Sequence, residues 1–559
     1  VTPNGNNQET EEGNRPQDRH LTGSAIAPGL AEGKAFVYRD ILSQEEAVSA
    51  ESMPKVDVEH ARLDEARETV LKELDASRRR VEAQMTLSLA DIFRAHDAML
   101  RDPVLLQEVT EEIEGELIHV EEAIRRVFCR WVERFRANGS TAKAGRAEDV
   151  ADLARRLLRA LRGIRAHPLE EMPDGSVLVA QRLAPSDAVH FCGRAAAVVV
   201  EFGTPGAHCA LMARQVGIPV VGNIPEVVAQ IPQGASVLVD GLEGTVVVNP
   251  DEETRARFQE RRKRYEAEGV AAKARACEAA VTVDGVTVQV AANITSRADA
   301  ELADENGADG VGLFRTEALF MYRNALPSED ELVEELSHAL EPLAEKPSIV
   351  RLLDVGGDKN LPYLKLPAEE SPFLGRRGIR LLLAYPELLN VQVRALLRLS
   401  EQRAVQVMVP MVTVPEDMDR ARSVVESAAR ELGIARVPPL VAMIETPAAA
   451  LSVSDILRAA DALSIGTNDL TQYVMAAGRQ NPLANEYFRE DHPAMMRLIR
   501  IICQDAGAAT VGMCGELAGR LQVIPDLLRA GIRLFSVAPR LIPLVKEAVR
   551  RAKAAPKPA

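Results

Sequence analysis

A chain of 559 residues exceeds what one hydrophobic core usually organises, so two or three domains are expected. Its 47% hydrophobic, 27% charged and 4% aromatic content is that of a soluble, helix-rich globular protein. A formal charge of −15 excludes a nucleic-acid binder working through a basic stripe, while leaving an acidic surface suited to a basic partner.

Residues 1–20 are polar, contain Pro and Gly, and lack the charged-then-apolar layout of a signal peptide; they read as a flexible linker or tail, with an upstream domain left open by the start at Val1. A short β-like lead from Gly23 to Val37 gives way near Val56 to helical periodicity, where Leu63, Val70, Leu74, Val81 and Met85 fall on one face. Further amphipathic stretches at Asp91–Leu117, Val120–Arg136 and Ala147–Leu161 predict an all-α bundle over 56–163. From Ser176 the texture becomes short apolar runs divided by turn residues. The lead shares that texture, so 21–55 and 164–250 are expected to form one α/β domain that the bundle interrupts. A charged helix within 251–280 reads as a connector. Beyond it, over 281–559, eight apolar runs alternate with helical segments, which is what a C-terminal (β/α)8 TIM barrel requires. The longest apolar runs, such as Ala195 to Val200 and Val407 to Val412, fall far short of the roughly 20 residues of a spanning helix, so no membrane insertion is expected. Six cysteines without CxxC spacing imply neither a disulfide framework nor a zinc site, in keeping with a reducing cytoplasm.

Active sites of such barrels are built at the C-terminal ends of the strands. Those ends carry Arg315, Arg351, Glu445, Asn468, Asp469 and Cys514. A single strand-end arginine is commonly an ion-pair partner, but two of them with two carboxylates suit a phosphate. Glu445 and Asp469 can hold a hard divalent cation that keeps some waters, with Mg2+ the natural candidate. Taken singly, each acid reads as a helix N-cap, a role that Thr446 and Thr467 can also fill.

The segments GADGVGLFRTEALFM (307–321), DVGGDKNLPYL (354–364), PFLGRRGIR (372–380), ETPAAA (445–450), SIGTNDLTQY (464–473) and GMCGELAG (512–519) resemble, in this order, those of enzyme I, the phosphoenolpyruvate-protein phosphotransferase of the bacterial sugar phosphotransferase system. The resemblance runs from about Leu21 to Arg550. It implies that Glu445 and Asp469 bind Mg2+, that Arg315, Arg351, Asn468 and Arg479 hold phosphoenolpyruvate with Lys359 and Arg377 as further basic positions, and that Cys514 gives a proton to the enolate as pyruvate forms. It also implies an α/β phosphohistidine domain that swivels, a bundle that docks the phosphocarrier protein HPr (separate or fused), and a homodimer joined through the barrels. Helical periodicity alone reveals no docking surface.

His208, in FGTPGAHCALMARQVGIP, follows a Gly-rich turn at the start of an apolar helical stretch, where backbone N–H groups can steady an anion. Neutral imidazole would be the nucleophile. His96, His190 and His492 read as structural. The family's Thr-Ser before the phosphohistidine is Gly206-Ala207 here, the acidic residue before the phosphate-binding arginine is Gly478, and a serine near the last strand is Ala538. These departures keep open a regulatory homologue with weak or no turnover. A phosphoenolpyruvate synthase or pyruvate phosphate dikinase is the other alternative, and it lacks here any candidate nucleotide-binding domain.

Overall fold

The computed structural model describes residues 18–554 except 40–54, 85–95, 98, 138–140, 165–166, 184–186, 204–208, 210–211, 214–215, 322, 324, 357–360, 362, 365, 368, 370 and 479–481. They divide into two compact units, one drawn from residues up to 39, 167–183 and 190–265, the other from 40–166, 184–189 and 266 onward.

The first unit is built on strands β1 (Arg19–Thr22), β2 (Ser24–Ala27), β3 (Leu30–Tyr38), β4 (Ser176–Ala180), β5 (Ala195–Val200), β6 (Val220–Gly222), β7 (Ser236–Asp240) and β8 (Thr245–Val248). They form one mixed sheet in the order β1-β8-β7-β3-β4-β5-β6-β2. β3 and β4 are parallel neighbours although more than a hundred residues separate them, so the α/β sheet is indeed interrupted in sequence. Val177, Val179, Val199, Val237, Val239 and Val246 are buried in its core, where β-branched side chains pack well on the pleated surface.

In the second unit, four long helices span Val56–Gln84, Pro103–Glu116, Val120–Ala137 and Thr141–Leu161. The second starts where the Asp102 carboxylate accepts from Val104 N–H and Pro103 supplies a pre-set φ, and it ends at Leu117 in the left-handed region. Leu63, Val70 and Leu74 are buried as their spacing predicts. The Val81 side chain and Met85 lie outside the described residues. Helix Glu252–Ala274 carries charge on all sides and buries only Ala272.

The eight expected barrel strands all form: β10 (Thr287–Ile294), β11 (Val311–Arg315), β12 (Ser348–Arg351), β13 (Val405–Val409), β14 (Leu440–Ile444), β15 (Ala462–Ile465), β16 (Val511–Met513) and β17 (Leu534–Val537). Each pairs in parallel with the next, and β10 pairs with both β11 and β17, so the ring closes. The short β9 (Ala280–Val281) adds antiparallel to β10. Leu313, Ile349, Met408, Val441 and Met443 point inward and pack with Cys514, while Phe314, Val350, Val407, Ala442 and Ile465 face the surrounding helices. Lys546 is fully buried at the opposite end from the strand C-termini. Its Nζ donates to Ala276 O (3.0 Å), Gly307 O (2.6 Å) and Asp309 Oδ1 (2.7 Å).

Candidate active site

One cavity of about 130 Å³ opens at the C-terminal ends of β11 to β16, and Arg315, Arg351, Arg377, Glu445, Asn468, Asp469 and Cys514 all line it. Parallel register accounts for much of this. Arg315 and Arg351 are direct partners at the ends of β11 and β12, so their side chains leave the ring at one level. Glu445 follows β14, and Asn468 and Asp469 sit in the first turn of helix Thr467–Val474, after β15.

The charges are interleaved. Arg351 is buried, bonds Glu317 through Nη2, and places Nη1 3.5 Å from Asp354 Oδ2. Arg377 reaches Asp354 Oδ2 at 2.9 Å and Asp469 Oδ1 at 3.0 Å. Burial works against both guanidiniums, yet the carboxylates around them outweigh it: Glu317, Asp354 and Glu445 hold the Arg351 pKa above its ordinary value, and Asp354, Asp469 and Glu445 do so for Arg377. Two buried arginines held cationic in one cleft are suited to spread charge over phosphate oxygens.

Glu445 is 1% exposed, and burial together with the charges of Asp469 and Asp354 pushes its carboxyl up to about 8. Its Oε1 accepts Met411 N–H at 2.7 Å, and Met411 holds that N–H in place by a left-handed backbone (φ 57°) rare for such a side chain. Its Oε2 faces Gly466, where a Cβ would come within 2.8 Å. Three carboxylates around one small cavity, all oxygen donors, fit a hard divalent cation. Among the described residues no group of three or more His, Cys, Asp and Glu gathers closely enough to form a metal site by itself.

Cys514 is 2% exposed. Its Sγ receives the Ser464 hydroxyl at 3.3 Å and faces Ile465 O at 3.7 Å. Burial raises the thiol, Ser464 opposes that, Glu445 adds to it and the arginines oppose it; the net direction is upward, so the sulfur keeps its proton. Asn468 Oδ1 accepts Glu516 N–H at 3.0 Å, which leaves the NH2 end of the amide as a donor.

His208, Lys359 and Arg479, with Gly206 and Ala207, lie outside the described residues. Of the two threonines, Thr446 does cap its helix, accepting Ala449 N–H, whereas Gly466 occupies the other N-cap and the Thr467 hydroxyl bonds Glu490 instead. Neither Glu445 nor Asp469 acts as a cap. Asp354, Glu317, Met411 and Ser464 belong to the site and were not singled out by sequence reasoning. An acid three residues beyond a strand-end arginine was the one available signal, and it pointed to Asp354.

Three family models match the chain: PEP-utilising enzyme, N-terminal, over 22–146; PEP-utilising enzyme, mobile domain, over 172–244; and PEP-utilising enzyme, PEP-binding domain, over 270–554. A phosphoenolpyruvate-protein phosphotransferase of Geobacillus stearothermophilus is 36% identical over 94% of this chain and 92% of its own. This chain belongs to the phosphoenolpyruvate-protein phosphotransferase family. Family members from Haloferax volcanii (39% identical, 88% of this chain and 86% of that one) and Bacillus subtilis (33%, 93% and 92%) match over comparable lengths. Among the described residues no helix is long and apolar enough to cross a membrane.

Proposed function

We propose that the chain transfers the phosphoryl group of phosphoenolpyruvate to His208 and from there to a histidine of an HPr-type phosphocarrier, releasing pyruvate as the first step of sugar phosphotransferase transport. The gathering of three arginines, three carboxylates, Asn468 and a protonated thiol around one cavity is the observation that carries this reading. Arg315, Arg351 and Arg377, with Asn468, Lys359 and Arg479, bind and orient the phosphate and carboxylate of the substrate. Glu445 and Asp469 would hold Mg2+, whose contribution is to neutralise phosphoryl oxygens. The imidazole nitrogen of His208 forms the N–P bond as the bridging P–O bond breaks. The electron pair left on the enolate then takes the Cys514 proton at its methylene carbon, and solvent restores the thiol. Second transfer returns His208 to its neutral form.

The same reading makes the chain cytoplasmic, with a homodimer joined through the barrels. It is tested by following pyruvate with Mg2+ and phosphoenolpyruvate. One equivalent per active chain is expected without a carrier and sustained release with an HPr-type acceptor. Bound phosphoenolpyruvate with no pyruvate under either condition would favour the regulatory alternative.

A further inference from the structure

Glu490 belongs to none of the groups that line the cavity, yet it is a carboxylate only 3% exposed. Its Oε1 accepts the Thr467 hydroxyl at 3.3 Å, and its Oε2 accepts Arg520 Nη2 at 2.9 Å. Asp491 stands 3.9 Å from the same guanidinium, which is itself partly exposed. Thr467 is fully buried and is the first residue of the helix that presents Asn468 and Asp469. It also lies close against Gly515, where a Cβ would collide with the Thr467 hydroxyl and backbone. Gly515 follows Cys514, whose N–H donates to Ile465 O at 3.0 Å, and Glu516 N–H donates to Asn468. The turns after β15 and β16 are thus stapled together, and Glu490 grips the staple from a third segment while Arg520 compensates its charge. A buried carboxylate is costly unless paired and hydrogen-bonded, so this arrangement is a built one.

We infer that Glu490 is a positioning residue for the phosphoryl-transfer reaction. By holding the Thr467 hydroxyl, it fixes the first turn that carries Asn468 and Asp469 against the Cys514 turn, and the hydrogen-bonded Arg520 guanidinium holds it in place. The inference rests on the proposed reaction and adds to it a device outside the cavity wall. Small displacements matter here, since a shift of about 1 Å at a reacting centre can cost roughly 100-fold in rate.

The test compares Glu490→Ala, Glu490→Gln, Thr467→Val and the Glu490→Ala/Thr467→Val pair in the full chain. It measures initial pyruvate release as a function of Mg2+ and of phosphoenolpyruvate, with thermal melting alongside. Glu490→Ala and Thr467→Val are each expected to slow release about tenfold and to raise the Mg2+ needed for half-maximal rate. The double variant should be no worse than the poorer single one, because coupled residues are not additive. Glu490→Gln, whose amide still bonds Thr467, should recover most of the rate. Equal losses for Gln and Ala, additive losses in the pair, or a loss seen only in melting temperature would overturn the positioning role. A parent chain that releases no pyruvate would overturn the underlying reaction itself, which separates the two failures.

Discussion

Replacing Glu445 by glutamine isolates what its buried charge costs the barrel. The carboxyl stands near 8 in the folded chain against an ordinary 4.5, raised first by burial and then by Asp469 and Asp354. Because the folded value is the higher one, folding favours the protonated acid: stability is whole below about pH 4.5 and is lost progressively as pH rises to about 8. The span of about 3.5 pH units, at about 1.36 kcal/mol each, comes to about 5 kcal/mol. Glutamine keeps the acceptor for Met411 N–H and removes the charge. With metal chelated, Glu445→Gln should therefore melt near the parent at pH 4.5 and about 10 °C above it at pH 8, taking roughly 2 °C per kcal/mol for a unit of this size. Added Mg2+ should raise the parent at pH 8 and leave the variant nearly unmoved, while the variant loses pyruvate release. Parallel melting curves for the two proteins across this pH range would refute the reasoning.

Three further outcomes follow from the same geometry. Cys514→Ser should keep the fold but slow pyruvate release by about 100-fold, the low end of what a positioned proton donor supplies, as seen in a lactate dehydrogenase-coupled assay. Arg377→Lys preserves charge but cannot fork between Asp354 and Asp469, so calorimetry should show phosphoenolpyruvate binding weakened by about tenfold or more, with chain stability reduced by roughly 1–3 kcal/mol. Lys546→Met leaves Asp309 without its cation and two buried carbonyls without their donor; urea unfolding should show a loss of about 3 kcal/mol while pyruvate release below the transition is unchanged.

The barrel was legible because its strands are covered on both sides and so appear as nearly continuous apolar runs, such as 407–409 and Leu440–Ile444. The residues at their ends were legible for the same reason: a strand that is apolar throughout makes the first polar residue after it conspicuous. What escaped was whatever depends on register or backbone shape. Glu317 meets Arg351 only because β11 and β12 align, and nothing in a methionine announces that Met411 adopts a left-handed backbone and aims its N–H at Glu445. Thr467 is a residue type able to cap its helix, but Gly466 takes that position and frees the hydroxyl to reach Glu490, a contact across 23 residues that helix rules do not anticipate. In the first unit, one α/β domain interrupted by the bundle was inferable from shared texture, whereas the strand order, with β3 beside β4, needed the tertiary structure.

The measurement closest to the central claim is intact-mass and peptide-level phosphorylation after incubation with Mg2+ and phosphoenolpyruvate, comparing the parent with His208→Ala. The account predicts acid-labile phosphate on His208 in the parent, matched by an equal amount of pyruvate, and neither in the variant. A folded parent that binds phosphoenolpyruvate yet gains no phosphate, or a variant that gains as much as the parent, would contradict it.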